Sequence, residues 1–497
     1  MNSSMKHRSR ILGRMTCGTL TLTVLSTLLL IAPPAYAQSG AYGVVFPTNL
    51  NFQAAVGQTS PPQRVSLKNT GDSELTVSNI SISENFAIPT NQCAKGVKPG
   101  THCDVYVTFT PPGLGTYTGT LIFTDNASNS PQTVSLTGNT APFETVLYNF
   151  TGGSDGGNPT SGLTFDGAGN LYGTTTSGGL GYGTVFELSP NGTGGWNQTT
   201  IYSFCSAPNC TDGSYPESYL ILDSVGNLYG TANNGGENGA GVVFELSPGE
   251  SGWTETVLYS FGSIGGYADR PIGGLGGLIM DPAGNLYGPT YVWELDYGTV
   301  FELSPSGGGW AEQDISPWPS YSGLTMDAAG NIFGSASPVV FELSPNGSGG
   351  WNFTVLYTFP KGTAVEGMLD QAGNLYGTAA NGHKRKNGIV FELSPGENGW
   401  TEKILYSFKG NVPSAGMVFD AAGNIYGTTF YSGYGTVFEL VAPVGEGSYK
   451  EKVLWSFNGT DGSEPFDRPV LDNAGNLYGT ASDGGLYTYG VVFEVTP

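Results

Sequence analysis

The chain has 497 residues, 78 of them glycine, with 12% aromatic and only 12% charged side chains. Aromatic and aliphatic residues this frequent and this evenly spread exclude a disordered chain, and turn residues recurring throughout exclude long helices. A formal charge of −22 argues against nucleic acid, polyanions and anionic membranes as partners, with one local basic run, His383-Lys384-Arg385-Lys386, standing against the trend.

The N-terminus reads as an export signal. Lys6, Arg8, Arg10 and Arg14 precede an apolar run from Leu20 to Ala32, and Ala35-Tyr36-Ala37 supplies a small-x-small cleavage site. A signal peptide over residues 1–37 is predicted, with the mature chain starting at Gln38. The alternative is a membrane anchor, but the run is shorter than the roughly 20 residues a spanning helix needs. Cys17 lies before the apolar run, which argues against a lipoprotein. With no second apolar stretch, the expectation is an extracellular, cell-surface or periplasmic protein with no transmembrane segment after cleavage. Four cysteines follow the leader in two close pairs, Cys93 with Cys103 and Cys205 with Cys210. An even count in an exported protein reads as two disulfides. The rival reading, a zinc site, lacks C-x2-C spacing and has only His102 nearby.

Residues 41–141 alternate apolar and polar side chains over strand lengths, as in VVFPTNLNF, QRVSLKNTG, CDVYVTFTP, GTYTGTLIFTD and PQTVSLTGN. About seven short strands in roughly 100 residues predict an immunoglobulin-like β-sandwich. Cys93 and Cys103 flank KGVKPG and would staple a single loop.

Residues 143–497 repeat. The turn D-x-x-G-N, followed by an aliphatic and an aromatic residue, begins at Asp166, Asp223, Asp281, Asp327, Asp370, Asp420 and Asp472. V-F-E-[LV] keeps step with it seven times, from Phe186 to Phe493, and a looser W-x-x-x-x-L-Y-S-F fills most gaps. Each unit offers four short strands; in the first they are GLTFD, NLYGTTT, GTVFELSP and TTIYSF. Four strands at a period near 50 residues predict propeller blades, so the fold class is all-β, a seven-bladed β-propeller preceded by the sandwich. The chain enters on an orphan outer strand, ETVLYNF at 144–150, and stops on a third strand, GVVFEVT. Pairing of the two is expected to complete the last blade and to hide its edge.

The repeated aspartates read as turn scaffold, accepting from backbone N–H groups two residues on while glycine takes positive φ. A calcium loop is the alternative, and its alternating oxygen ligands are missing. Glu187 and its six equivalents lie opposite the Phe and Leu of F-E-L and are expected to be partly buried and hydrogen-bonded. Hairpin alternation sends the uniform turns to one end of the blades and two classes of variable loop to the other. Variable loops rich in Asp, Asn and Tyr suggest recognition.

The repeat, most nearly unbroken in GNLYGTTTSGGLGYGTVFELSP at residues 169–190, resembles the GloVer tandem-repeat family of exported bacterial proteins over about 350 residues. The blades around Asp281 and Asp327 depart most from it. It is also similar in plan to NHL propellers. CAKGVKPGTHCDVYVTFTP and GTLIFTDNASNSPQTVSLTG resemble the ASPM/Hydin type of immunoglobulin fold. The resemblance implies export, a repeat scaffold and a sandwich acting as spacer or adhesion module, with no established activity.

Two function classes remain. The first is a binding or display protein holding a carbohydrate or protein on the variable-loop face. Its candidate residues are Asp155, Tyr182, Asp212, Tyr215, Asp269, His383, Arg385, Tyr434, Asp461 and Tyr487, with Trp293 beside them; packed aromatics and acidic surface loops are the bland alternative. The second is a propeller hydrolase or lyase acting on an extracellular polysaccharide through Asp461, Glu464 and Asp467. His102 and His383 fit no triad, so no catalytic residue, metal or cofactor is assigned, and a monomer is expected.

Overall fold

A computed structural model describes residues 39–497 apart from short internal gaps, the longest at 272–276, 293–296, 360–366 and 380–387. The expected leader lies outside the described residues. Among those residues the chain is all-β; the one helical segment is a 3-10 turn, Pro208–Cys210. No helix among them is long and apolar enough to cross a membrane. The chain divides after Asn139 into two compact units.

The first unit contains β1 (Gly43–Phe46), β2 (Asn49–Ala54), β3 (Gln63–Asn69), β4 (Val77–Ile82), β5 (Phe86–Asn91), β6 (His102–Phe109), β7 (Thr116–Asp125) and β8 (Gln132–Thr140). They form two antiparallel four-stranded sheets, β1-β3-β6-β5 and β2-β8-β7-β4. Two-residue alternation puts Val65 and Leu67 of one sheet, and Leu121, Phe123 and Val134 of the other, into a single core around Phe52 and Phe109. Cys93 and Cys103 are bonded, with Cα atoms 5.1 Å apart, and lie in that core.

The second unit opens with β9 (Phe143–Asn149) and then runs through seven antiparallel sheets of four or five strands, with one small hairpin, Ser263–Ile264 and Tyr267–Ala268, between the second and third. We number them I to VII by their turns at Asp166, Asp223, Asp281, Asp327, Asp370, Asp420 and Asp472. Sheet I is typical, with strands Thr164–Phe165, Leu171–Thr175, Thr184–Pro190 and Trp196–Ser203 in that order. Sheet VII takes its fourth strand from the far end of the unit, because β9 pairs with Val491–Thr496. No sheet closes on itself.

The V-F-E-L strands explain the packing. Phe186 and Leu188 are fully buried on one face, and Val185 is buried on the other. Each sheet thus has two apolar faces and shares a core with both neighbours. Tyr172 and Val185 of sheet I pack with Phe204, Leu220 and Phe244 between sheets I and II. Equivalent clusters follow at each joint, and Phe150, Leu171 and Phe186 pack with Tyr478 and Val492, joining sheet VII to sheet I.

The turns are held by charge-assisted hydrogen bonds. Asp166 accepts from the backbone N–H groups of Ala168 and Asn170, each at 2.8 Å, from Asn170 Nδ2 at 2.8 Å and from the Tyr172 hydroxyl at 3.3 Å. Gly169 closes the turn at φ +87°. Burial pushes the Asp166 carboxyl up, but these bonds outweigh it and hold it below the usual carboxylate range. Its stabilising effect is therefore present above the unfolded-state value and lost as pH falls through the lower, folded-state one. Asp166→Ala is expected to lower the urea midpoint at neutral pH by the equivalent of about 1–3 kcal/mol, and the deficit should shrink as pH falls through the lowered folded-state value of Asp166.

Candidate functional site

Along each sheet the turns alternate ends. The D-x-x-G-N and S-P-x-G turns share one end, and the two long loop classes share the other. The long loops of sheets VI, VII, I and II are tied together by a recurring latch. Asn158, Tyr215 and Glu464 all have positive φ immediately before a proline. Their N–H groups donate to the carbonyls of Tyr489, Tyr182 and Tyr434 on the preceding sheet at 2.8, 2.8 and 3.0 Å. The following glycine of each tyrosine, Gly490, Gly183 or Gly435, lies against the proline ring so closely that a Cβ would stand within 2.6 Å of its Cδ.

The latch fixes the tyrosine backbones and leaves their rings facing solvent. Tyr182, Tyr215, Tyr434, Tyr487 and Tyr489 are 38–53% exposed, with Leu180 and Leu486 beside them. The Tyr182 and Tyr215 rings meet edge to face at 5.9 Å. Loops 151–161, 176–183, 204–219, 233–241, 430–435, 457–466 and 482–490 contain neither lysine nor arginine. This rim is aromatic, hydroxyl-rich and without cations. Tyr489, which sequence reasoning missed, occupies the position of Tyr182 and Tyr434; aligning TYGVVF with GYGTVF would have found it.

The loop aspartates are turned inward. Asp155 accepts from the Tyr148 hydroxyl at 3.0 Å, from Thr151 N at 2.8 Å and from the Thr151 hydroxyl. Asp212 accepts from the Tyr202 hydroxyl and Ser206 N, both at 2.8 Å, and from the Ser206 hydroxyl at 2.9 Å. Asp461 accepts from Trp455 Nε1 at 3.1 Å and from Asn458 N and Nδ2 at 2.8 and 2.7 Å. Asp212 and Asp461 are buried. All three brace their loops rather than offering free acceptors to a ligand. Asp269, His383, Arg385, Trp293 and Asp467 lie outside the described residues. Cys205 and Cys210 are bonded across the 3-10 turn, Cα to Cα 4.0 Å.

Where the loops lead into the short first strands, the repeat departs from itself. Gly162, Gly277, Gly323 and Gly416 occupy a position that sheets II and VII give to Tyr219 and Arg468. The Arg468 guanidinium lies 4.8 Å over the Tyr219 ring. Two residues before Tyr219, burial pushes the Glu217 carboxyl up, while a 2.6 Å hydrogen bond from Asn233 Nδ2 opposes the shift.

At the opposite end a cavity of about 380 Å³ opens between sheets III and IV, lined by Asp281, Tyr287, Glu302, Gln313 and Trp351. Both of its carboxylates are already hydrogen-bonded, Asp281 by Ala283 N, Asn285 N and Asn285 Nδ2 of its own turn. Glu302 accepts from Gln313 Nε2 at 2.8 Å, Trp351 Nε1 at 3.0 Å and the Ser304 hydroxyl at 3.1 Å. Among the described residues no group of three or more His, Cys, Asp or Glu side chains could hold a metal ion.

Among curated proteins no relative was found. Solved structures that match this chain include the VesB protease of Vibrio cholerae, 16% identical, with a TM-score of 0.17 over 20% of this chain and 32% of that one. The chain thus spans about a third of that protein's length. A quinonprotein alcohol dehydrogenase-like protein of Bacteroides thetaiotaomicron is 12% identical over 92% of this chain and 98% of its own, TM-score 0.33. A Hadza microbial sialidase is 11% identical over 80% and 77%, TM-score 0.37. Residues 44–139 match the HYDIN/CFA65/VesB-like Ig-like domain, so the first unit is an immunoglobulin-like domain. Residues 114–337 and 319–497 match the Gloeobacter/Verrucomicrobia repeat, and the chain belongs to that family.

Proposed function

We propose that sheets I to VII are the blades of a seven-bladed β-propeller closed by β9, and that this exported scaffold binds an uncharged extracellular glycan on its variable-loop face. Support for the architecture comes from the apolar clusters shared by consecutive sheets, including VII with I. The observation that carries the function is the tyrosine rim of sheets VI, VII, I and II. Latched tyrosines offer rigid amphipathic surface at low entropic cost, suited to the C–H faces and hydroxyls of a sugar chain. The tyrosine-bearing loop segments, without Lys or Arg, offer little to pair with a polyanion. The immunoglobulin-like domain serves as spacer or adhesion module. The hydrolase reading is weakened because both Asp461 oxygens are taken by Trp455 and Asn458.

The test is a glycan array with residues 38–497, followed by titration of Tyr434→Ala, Tyr487→Ala and Tyr489→Ala. Each substitution is expected to weaken binding by about 5- to 30-fold, the range for an interface aromatic. Binding confined to anionic glycans, or indifferent to all three changes, would refute the assignment.

A further inference from the structure

At most joints between sheets II to VII, and at the two joints of sheet I, one hydrogen-bonding position recurs. The outer strand of one sheet presents a tyrosine or tryptophan, and the outer strand of the next presents Gln198, Glu255, Glu312, Glu402, Glu451 or Glu144 at equivalent places. In three joints the two meet directly. The hydroxyls of Tyr259, Tyr357 and Tyr406 donate to Glu312, Glu402 and Glu451 at 3.2, 2.8 and 2.8 Å. In three others a loop aspartate takes the donor instead: Asp155 from Tyr148, Asp212 from Tyr202 and Asp461 from Trp455.

The strand residue is then surplus. Beside the Asp155 loop it is Gln198, a neutral amide that donates to the Asp155 carbonyl at 3.2 Å. Beside the other two it is still a carboxyl. Glu255 Oε1 and Glu144 Oε1 are buried with no hydrogen-bond partner, and so is Oδ1 of Asp212, a residue only 4% exposed. Neither glutamate has an ion-pair partner among the described residues. Facing Glu255 are Asp212 from the loop and Tyr202 from the neighbouring strand; Asp461 faces Glu144. Burial and then the adjacent aspartate push Glu255 up to about 7 and Glu144 up to about 8.

We propose that a proton held on Glu255 beside Asp212, and one held on Glu144 beside Asp461, fasten the loops at residues 204–213 and 457–462, and that the loops are released when these protons leave and like charges face each other. The first loop leads directly to Tyr215, and the second leads to Glu464, whose N–H holds Tyr434. Two of the latched rim segments are thereby tightened by acid, whatever ligand the rim takes. The sign follows from the raised values. Stabilisation is complete below the ordinary glutamate value of 4.5 and is lost as pH rises through about 7 at Glu255 and about 8 at Glu144.

Amide hydrogen exchange, corrected for intrinsic rates, tests this on the whole chain at pH 6 and pH 9. Protection over 204–213 and 457–462 is expected to fall by about tenfold or more, since one unit of pKa shift corresponds to a tenfold change in equilibrium. Loop 151–157, beside Gln198, should not change. The double variant Glu144→Gln, Glu255→Gln should lose the pH dependence in both loops, and Gln198→Glu should create it in loop 151–157. A wild-type protein with no such fall, a fall that persists in the double variant, or a fall abolished by millimolar calcium, which would make the ligand a cation, each overturns the proposal.

Discussion

Phe150→Ala is expected to destabilise residues 140–497 by about 3–5 kcal/mol, the cost of emptying a well-packed phenylalanine site. Phe150 is fully buried, sits edge to face on Phe186 at 5.0 Å, and donates its N–H to the Gly490 carbonyl at 3.1 Å. It follows β9, so the change strikes the seam where the first strand of the unit meets the last. Phe204 has the same role at the next joint, on Phe244 at 5.0 Å. Guanidinium unfolding of the two variants separates two behaviours. If the seam is integral to one cooperative unit, both variants shift a single transition by similar amounts. A dispensable seam would instead split off an early partial transition in Phe150→Ala alone.

Gly490→Ala is the second change with a large expected effect. Gly490 has φ +87°, and an added Cβ would lie 2.5 Å from the Ala481 carbonyl oxygen and 2.6 Å from Pro159 Cδ. The left-handed backbone alone costs an L-residue about 1–2 kcal/mol. Displacing packed backbone and the proline ring adds about 1–3 kcal/mol, for a total near 3 kcal/mol. Gly475 is the control: φ is +89°, and a Cβ there meets nothing within 4 Å. Gly475→Ala should cost only the backbone share. Equal midpoints for the two variants would show that the latch carries no load.

The repeat was legible because each motif answers a local requirement: aspartate and glycine make the turn, and alternation in V-F-E-L makes a strand apolar on both faces. The sandwich was less so. VVFPTNLNF reads as one strand, yet Pro47 interrupts it, and its halves enter different sheets, β1 beside β3 and β2 beside β8. FAIPTN, which forms β5, was also missed, since proline inside a run argues against a strand. At the loop end the exposed tyrosines were found from composition alone. The direction of a carboxylate was not, because Asp155, Asp212 and Asp461 turn inward to donors six to ten residues earlier that only folding brings near. Glu144 and Glu255 gave no local signal, for the loop aspartates that act on them, Asp461 and Asp212, lie far away along the chain.

The pairing of β9 with Val491–Thr496 also sets an order of events in folding. Asn149 accepts a hydrogen bond from Leu486 N, 337 residues away along the chain. Bringing such distant ends together costs roughly 3 kcal/mol more in closure entropy than forming a short hairpin. The first strand of the second unit must therefore wait, as an unpaired edge, for Val491–Thr496. Sheets I to VI can assemble from neighbours as they appear, but the bonding partner of β9 does not exist until Val491–Thr496 has been made.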